Sequence, residues 1–262
     1  MHILMTGGNG FVAREIIIAL TEAGHTMIVC VRQLSTVLQK NKDIHYIETD
    51  FARDVDQTLW MQRLHNIDVV INCVGVFHTT CEKEMWNIHF HTPRALFDAA
   101  VVVGVKKIIH LSALGIDQTT VVYAASKLMA EQYLQNLSID SVIIRPSFIY
   151  AHSSYGGSSL FRGLAGLPFF TFLPGGGKKL LQPIHLHDLV TIVKKSLYLQ
   201  GKKLLCAVGS EKISFKMMIT HLRVWLGFKN QLMYRFHFFL FEWLQNVEIF
   251  FATHRSVPQL FN

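Results

Sequence analysis

Tyr123 and Lys127 lie four residues apart in a stretch with helical periodicity, so their side chains fall on one face of a helix. A Tyr hydroxyl with an ordinary pKa of about 10 is rarely ionised at neutral pH. A positive charge beside it favours the phenolate, and such a pair could exchange a proton with a bound molecule. The spacing also occurs by chance, and the two residues could contact a nucleotide without doing chemistry.

Ser112 is the candidate third member of this group, at the end of a hydrophobic segment and eleven residues before Tyr123. Its hydroxyl could orient the carbonyl group of a substrate. The alternative interpretation is that the hydroxyl satisfies a backbone group where the strand ends.

A glycine-rich turn, with Gly7 and Gly10, separates the first hydrophobic run from a helical pattern that begins at Phe11. In this context Gly7 permits a tight turn and Gly10 lets the backbone approach a pyrophosphate. Free N–H groups and the positive helix end then hold the phosphate charge. Ala13 replaces the third glycine of the dinucleotide pattern and is small enough for close packing. A turn without a ligand is the alternative, but the strand–turn–helix context favours a dinucleotide site.

The choice of cofactor depends on the end of the second strand, which is Arg32, with no acidic residue before Asp43. An acid at this point accepts a hydrogen bond from the ribose 2′-hydroxyl of NAD, whereas Arg suits the 2′-phosphate of NADP. The sequence therefore predicts NADP(H) over NAD(H). A solvent-exposed Arg32 without a ligand is the other interpretation.

Short hydrophobic runs alternate with helical patterns along the first part of the chain. They predict strands at 3–5, 26–31, 45–47, 67–74, 107–112 and 141–145, and helices at 11–23, 83–103 and 123–137. This alternation predicts an α/β fold, a Rossmann-type doubly wound parallel sheet. After Pro146 glycines and prolines cluster, so we place a boundary near residue 150, between a Rossmann core (1–150) and a small C-terminal substrate lobe with an aromatic, basic tail (151–262).

Seven motifs together resemble the extended and atypical short-chain dehydrogenase/reductases, the epimerase/dehydratase group, and the likeness runs from Ile3 to about Leu199. The motifs are MTGGNGFVA (5–13), TDF (49–51), VINCVG (70–75), IIHLSALG (108–115), YAASK (123–127), RPSFIY (145–150) and PIHLHDL (183–189). Ala151 departs from the family pattern, which has Gly there. Within the group, SALG (112–115) and PGGGKKLLQPIHLHDL (174–189) look most like bacterial relatives of the nucleotide-binding accessory subunit of respiratory complex I.

The resemblance implies that Tyr123 is the general acid/base and that Lys127 binds the nicotinamide ribose and lowers the pKa of Tyr123. It also implies that Asp50 meets the adenine and that Asn87 supports the active site. With Arg32 added, the predicted cofactor-binding residues are Gly7, Asn9, Gly10, Phe11, Val12, Arg32, Asp50, Phe51, Cys73, Val74, Gly75, Asn87, Lys127, Pro146, Phe148 and Ile149.

Two other patterns could suggest different chemistry. The segment 175–178 (GGGK) lacks the spacing of a phosphate-binding P-loop and the helix that should follow it. The pairs His89-x-His91 and His185-x-His187 lack the cysteines or carboxylates that would complete a metal site. We therefore predict no metal.

The composition indicates the class of protein, its compartment and the partners to expect. Of 262 residues, 50% are hydrophobic and 16% are charged, which argues against long disordered stretches. The N-terminus has no secretory signal and the four cysteines form no CxxC pair, so we predict a reducing, cytoplasmic location with potential peripheral contact to the inner membrane. The net charge of +7 comes without a nucleic-acid-binding motif, so no nucleic acid partner is predicted.

Ten of the 27 residues in the segment 225–251 are aromatic, and the chain from residue 201 onward carries eight Lys/Arg against three Glu. The segment could be a helix packed on the second lobe, or a helix that docks on a membrane or a partner protein.

The leading function is hydride transfer between NADP(H) and a small carbonyl or alcohol of unknown identity. The alternative is a non-catalytic NADP(H)-binding accessory or sensor protein of a membrane-associated complex.

Overall fold

The computed structural model describes residues 1–36, 44–152, 157–167, 171–228 and 233–234. The strands are β1 (His2–Thr6), β2 (Thr26–Val31), β3 (Ile44–Glu48), β4 (Val69–Asn72), β5 (Lys107–Leu111), β6 (Asp140–Pro146), β7 (Ile149–Tyr150), β8 (Thr171–Phe172), β9 (Leu180–Leu181), β10 (Ile184–His185), β11 (Lys203–Ala207), β12 (Ile213–Ser214) and β13 (Met233–Tyr234). The helices are α1 (Phe11–Glu22), α2 (Gln57–Arg63), α3 (Glu82–Trp86), α4 (Thr92–Val102), α5 (Val122–Asn136), α6 (Gly157–Ala165), α7 (Leu186–Ser196) and α8 (Phe215–Trp225).

Seven strands form one sheet in the order β11-β6-β5-β4-β1-β2-β3, and every neighbouring pair is parallel. The sequence leads outward from β1 to β3 and then returns to place β4 on the other side of β1. This change of direction opens a crevice at the carboxyl ends of β1 and β4, where ligands of doubly wound sheets bind. The predicted Rossmann-type sheet is confirmed.

Helices cover both faces of the sheet because each has one apolar stripe. On one face, α1 and α7 bury Ile16, Leu20, Leu189 and Val193 against the sheet. On the other face, α2 and α4 bury Trp60, Leu96 and Phe97. The strands between them are apolar on both sides, as parallel strands between two helical layers must be.

The helix predicted at 83–103 is interrupted by a π-helical turn at Asn87–His91, between α3 and α4. The backbone N–H of Thr92 donates to the carbonyl of Asn87, five residues back, instead of four. One extra residue in the turn directs both Ile88 and His89 into the protein, where they are buried. Single π-turns of this kind are frequent at functional sites.

The chain beyond residue 150 contributes to two parts of the fold. The helix α7 packs on α1 and the strand β11 extends the main sheet beside β6. Separately, α6 and α8 enclose a small core around Phe148, Phe161 and Phe215. The boundary near residue 150 stays a prediction, and the two returning elements tie the second part of the chain to the first.

No helix within the described ranges is long and apolar enough to cross a lipid bilayer. The predicted docking segment 225–251 lies outside the described residues apart from its first four residues and the short strand β13, which pairs with β8.

Candidate functional site

A cavity of about 400 Å³ opens at the carboxyl ends of β1, β2 and β4. Eight of the residues predicted from the sequence to bind the cofactor line it: Gly7, Asn9, Gly10, Arg32, Phe51, Cys73, Val74 and Gly75. Other lining residues were not among the predicted cofactor-binding residues, among them Gly8, Gln33, Thr49, Ala52, Val76 and Ile88. The cavity has the position that a dinucleotide occupies in a Rossmann sheet.

The glycine turn at one end of the cavity has the geometry expected from the sequence. Gly7 has a φ of 74°, a left-handed conformation that favours glycine. A Cβ on the neighbouring Gly8 would lie only 2.2 Å from a methyl carbon of Val29, so a larger residue would displace the turn from β2. Gly10 then caps α1, and among the described residues no side chain caps this helix. Its N-terminus can therefore bind an anion.

A layer of buried polar side chains crosses three neighbouring strands beneath the cavity. Thr6 on β1 is in register with Asn72 on β4, which is in register with His110 on β5. The Thr6 hydroxyl accepts from the Cys73 N–H at 3.2 Å and donates to Asn72 Oδ1 at 2.6 Å. The Asn72 amide donates in turn to His110 Nδ1 at 3.1 Å. This chain of bonds fixes the strand ends from which the cavity walls emerge.

Tyr123 and Lys127 share one face of α5, as predicted, and both lie beside the cavity wall. The Lys127 ammonium is 5.8 Å from the centre of the Tyr123 ring. It is also close to Gly75, since a Cβ built there would lie 3.3 Å from Lys127 Nζ. Lys127 is 4% exposed, and burial lowers its pKa from 10.5 to about 8, against the opposing effect of Glu131. The structure thus places a buried amine against the Gly75 wall of the cavity and beside the Tyr123 ring.

The pKa of Tyr123 differs from the sequence expectation. Lys127 was expected to lower it, but desolvation of the partly buried phenol raises the Tyr123 pKa above its ordinary value. The His89 and Phe77 rings enclose the phenol ring, with ring centres at 5.2 Å and 5.5 Å. Because the ammonium faces the ring from 5.8 Å, desolvation of the phenolate dominates. The phenol therefore holds its proton at neutral pH.

Ser112 follows β5 and is 6% exposed. Its backbone N–H donates to the Ile144 carbonyl, but its hydroxyl has no hydrogen-bond partner among the described residues. The interpretation that the hydroxyl satisfies a backbone group is therefore not supported. A buried hydroxyl without a partner in the protein requires an explanation, such as a catalytic role or a bound water.

Two groups near Lys127 were missed in the sequence. His89, from the π-helical turn, packs edge-on against Tyr123. Glu131 is four residues after Lys127 on the same face of α5, and Arg145 binds both of its carboxylate oxygens at 2.7–3.1 Å. Arg145 also pairs with Asp117 at 2.7 Å. The i+4 spacing of Glu131 is a signal that the sequence contained, whereas the π-turn has no simple sequence pattern.

The remaining predicted cofactor residues do not line the cavity. The Asn87 amide donates to the Ala52 carbonyl at 2.7 Å, and the structure does not bring it to Tyr123 and Lys127. The Asp50 carboxylate accepts from the Ala52 N–H within its own turn and pairs with Arg53. Other residues support the surrounding core: Phe11, Val12, Pro146, Phe148 and Ile149.

Neither histidine pair gathers a metal-ligand set, since no three His, Cys, Asp or Glu side chains converge within the described part of the chain. The ring of His185 instead accepts from the His187 N–H and caps α7. His89 is turned into the protein, whereas His91 is exposed.

The sheet order, the glycine turn and the Tyr–Lys pair define a nucleotide-binding protein of the short-chain dehydrogenase/reductase type. The family model "NAD dependent epimerase/dehydratase family" matches residues 3–162, and the chain belongs to that family. The resemblance inferred from the sequence motifs is thereby confirmed.

Curated relatives are distant. A rat (Rattus norvegicus) protein, NADH dehydrogenase [ubiquinone] 1 alpha subcomplex subunit 9, mitochondrial, is 25% identical over 192 residues, which cover 70% of this chain and 49% of that protein. An Arabidopsis thaliana protein, divinyl chlorophyllide a 8-vinyl-reductase, chloroplastic, is 22% identical over 220 residues, or 77% and 51% of the two chains. The chain thus spans about half the length of these relatives.

Among solved structures, a UDP-glucuronic acid 4-epimerase from Bacillus cereus in complex with NAD has a TM-score of 0.73 and 19% identity, and the match covers 90% of this chain and 86% of that chain. At this identity the likeness concerns the fold.

Burial of Lys127 leads to a prediction about stability. The unfolded chain holds this proton up to a pKa of 10.5 and the folded chain only up to about 8. Between these pH values the unfolded state binds more protons than the folded state, so the free energy of unfolding rises with pH. Below about pH 8 both states are protonated at Lys127, and the buried ammonium destabilises the fold to its full extent. Lys127→Met should therefore raise the free energy of unfolding at pH 7 by up to about 3 kcal/mol, and this gain should shrink above pH 8. Urea unfolding across this pH range measures it.

The exposed Lys203 offers a matched control on β11. Lys203→Met should change the unfolding free energy by less than about 0.5 kcal/mol at every pH. A Lys127→Met protein less stable than the unsubstituted one at pH 7 would show that the ammonium is well solvated or paired.

Proposed function

We propose that the protein transfers hydride between NADP(H) and a small carbonyl or alcohol substrate. The observation that carries the proposal is the position of the buried Lys127 ammonium, directly behind the Gly75 wall of the cavity and beside the partly buried Tyr123 ring. A proton donor and a cation at this point suit a reaction at the nicotinamide end of a dinucleotide. The family to which the chain belongs supports the cofactor class.

The cavity supplies contacts for each part of the cofactor. The glycine turn and the N-terminus of α1 would hold the pyrophosphate, and Arg32 would bind the 2′-phosphate. The segment from Cys73 to Gly75 would lie along the nicotinamide ribose, with Lys127 behind it. Bound there, NADP(H) supplies or accepts the hydride. Burial raises the pKa of the Cys73 thiol to about 12, so this wall of the site is uncharged.

The roles of the side chains follow from their protonation. Because the Tyr123 phenol is protonated, it can donate its proton to a substrate carbonyl oxygen as the hydride reaches the carbonyl carbon. Lys127 would bind the ribose and stabilise the phenolate that remains until water reprotonates it. The unpartnered Ser112 hydroxyl could donate a second hydrogen bond to the same oxygen. These roles favour the direction of carbonyl reduction.

The first prediction from this proposed function concerns cofactor preference. Arg32 lies at the exposed edge of the cavity, and none of the ion pairs among the described residues involves it. We expect NADPH to bind more tightly than NADH, because the guanidinium can pair with the 2′-phosphate. Fluorescence titration of the purified protein measures both affinities.

Arg32→Asp should reverse this order, since a carboxylate repels the 2′-phosphate and accepts from a 2′-hydroxyl. Arg53→Asp is the control, because Arg53 is an exposed arginine paired with Asp50 in the turn after β3 and does not line the cavity. Equal affinities for the two cofactors, or NADH ahead, would contradict the role of Arg32.

The second prediction separates cofactor binding from chemistry. Tyr123→Phe should leave NADPH affinity nearly unchanged and abolish most of the turnover, because only the hydroxyl is lost. Lys127→Ala should also weaken NADPH binding, by about 1–3 kcal/mol for a lost charge-assisted hydrogen bond. NADPH oxidation with a panel of small aldehydes and ketones provides the assay. Full activity of Tyr123→Phe on any accepted substrate would remove Tyr123 from the reaction.

A second candidate function is a non-catalytic NADP(H)-binding accessory protein attached to a membrane-associated complex. It is supported by the relationship to a complex I subunit and by the end of α8, where Val224, Trp225 and Leu226 are 68%, 50% and 40% exposed. These residues lead into the aromatic, basic segment named above. Apolar contact would provide most of the affinity for a bilayer, and Lys or Arg near anionic lipid about 1 kcal/mol each.

Co-sedimentation with vesicles tests this attachment. The protein should pellet with anionic vesicles more than with neutral ones, and less at high salt. Val224→Ser with Trp225→Ser, or removal of residues 235–262, should reduce pelleting without changing NADPH affinity. Tyr198→Ser is the matched control, because Tyr198 is an aromatic residue 71% exposed after α7. If neither the unsubstituted protein nor the Val224→Ser, Trp225→Ser variant pellets with vesicles, the apolar end of α8 does not bind lipid.

A further inference from the structure

His89 connects the cavity wall to the helix that carries Tyr123. It is 2% exposed, and its Nε2 lies 3.1 Å from the backbone nitrogen of Val76, which lines the cavity. Its Nδ1 lies 3.1 Å from the Ser126 hydroxyl oxygen, and that hydroxyl lies 3.1 Å from the Tyr123 carbonyl oxygen. The edge of the ring also contacts the Tyr123 ring. One side chain therefore contacts both halves of the site.

The donors and acceptors in this chain determine which nitrogen carries the proton. A backbone N–H can only donate, so His89 Nε2 must accept from Val76. A carbonyl oxygen can only accept, so the Ser126 hydroxyl donates to Tyr123 and its oxygen is free to accept from His89 Nδ1–H. The imidazole is therefore neutral, with its proton on Nδ1. Both nitrogens are occupied, and neither can transfer a proton to a substrate without breaking a bond.

The surroundings keep the ring neutral. Burial and the nearby Lys127 ammonium both lower the pKa of His89, and His110 acts in the same direction. A proton on Nε2 would also face the Val76 N–H at 3.1 Å. A neutral His89 can thus pack beside Tyr123 and close to Lys127, where a second cation would be repelled.

We propose that His89 is a positioning residue that holds the Val76 wall of the cavity and the Tyr123 helix in register. The expected effect on turnover rests on the proposed function, whereas the hydrogen bonds of His89 do not. Its Nε2 bond to Val76 serves the cofactor side, and its Nδ1 bond to Ser126 serves the acid/base side. The two sides should therefore be separable by substitution.

The amide side chains Asn and Gln separate them. Gln can place an oxygen near the position of Nε2 and keep the Val76 bond, whereas Asn can place an N–H near the position of Nδ1 and keep the Ser126 bond. His89→Asn should weaken NADPH binding about tenfold, the loss typical of one buried hydrogen bond, with kcat largely retained. His89→Gln should keep the NADPH Kd and lower kcat by up to about 10²-fold through misplacement of Tyr123.

His89→Phe and Ser126→Ala complete the set. His89→Phe keeps an aromatic ring edge and loses both bonds, so it should show both defects, whereas Ser126→Ala should lower kcat alone. NADPH titration and steady-state reduction of 4-nitrobenzaldehyde as a probe carbonyl give the two readouts. Thermal unfolding verifies that each variant is folded. A merely structural role would move Kd and kcat together in every variant, and that outcome would overturn the proposal.

A spectroscopic measurement tests the bonding without any activity. The ¹⁵N-imidazole NMR spectrum of the full chain should contain one neutral ring, protonated on Nδ1 and not titrating from about pH 5 to about pH 8, which disappears in His89→Gln. If the signal that disappears in His89→Gln is instead protonated on Nε2, or is an imidazolium, the proposal is overturned. If the proposed function alone fails, the unsubstituted protein oxidises no NADPH with any carbonyl while this Nδ1–H signal and the effect of His89→Asn on NADPH affinity persist.

Discussion

The burial of one ammonium group, Lys127 Nζ, is the constraint to which the other parts of the site conform. A charge removed from water is costly unless other groups compensate. The two nearby histidines respond by staying neutral: burial and Lys127 lower the pKa of His110 to about 3 and that of His89 well below its ordinary value. The thiol of Cys73 likewise keeps its proton. On this side the Lys127 charge is thus flanked by uncharged polar groups.

Compensation for this charge comes from further along α5. Glu131 is 1% exposed and raises the pKa of Lys127, against the effect of burial. Arg145 holds the Glu131 carboxylate from β6, and Asp117 pairs with the remaining face of Arg145. Two positive and two negative charges therefore form one neutral group at the carboxyl ends of β5 and β6. Substitution of Glu131 or Arg145 would leave the other charge of this buried pair without its partner, which is costly.

The fold and the cofactor wall were accessible from the sequence because they depend on local patterns. The apolar runs around Ile3 and Ile71 predict strands, and the glycine turn has a spacing set by backbone geometry. The residues around Tyr123 depend on contacts between distant segments. His89 enters the site through a π-turn, which shifts the face of a helix without any change in hydrophobic spacing, so its position beside Tyr123 was not predicted. The pKa of Tyr123 depends on burial, which spacing does not report.

The return of α7 and β11 to the sheet has a consequence for folding. Val193 packs in the same core as Ile16, and Lys107 donates to the carbonyls of Leu197 and Leu199, so contacts at this edge join segments about ninety or more residues apart. Contacts of such long range form slowly, because a large loop must close first. Until they form, the apolar face of α1 and the edge of β6 are exposed to other chains. A nascent chain that ends before β11 therefore leaves exposed the kind of surface that makes partly folded chains prone to aggregation.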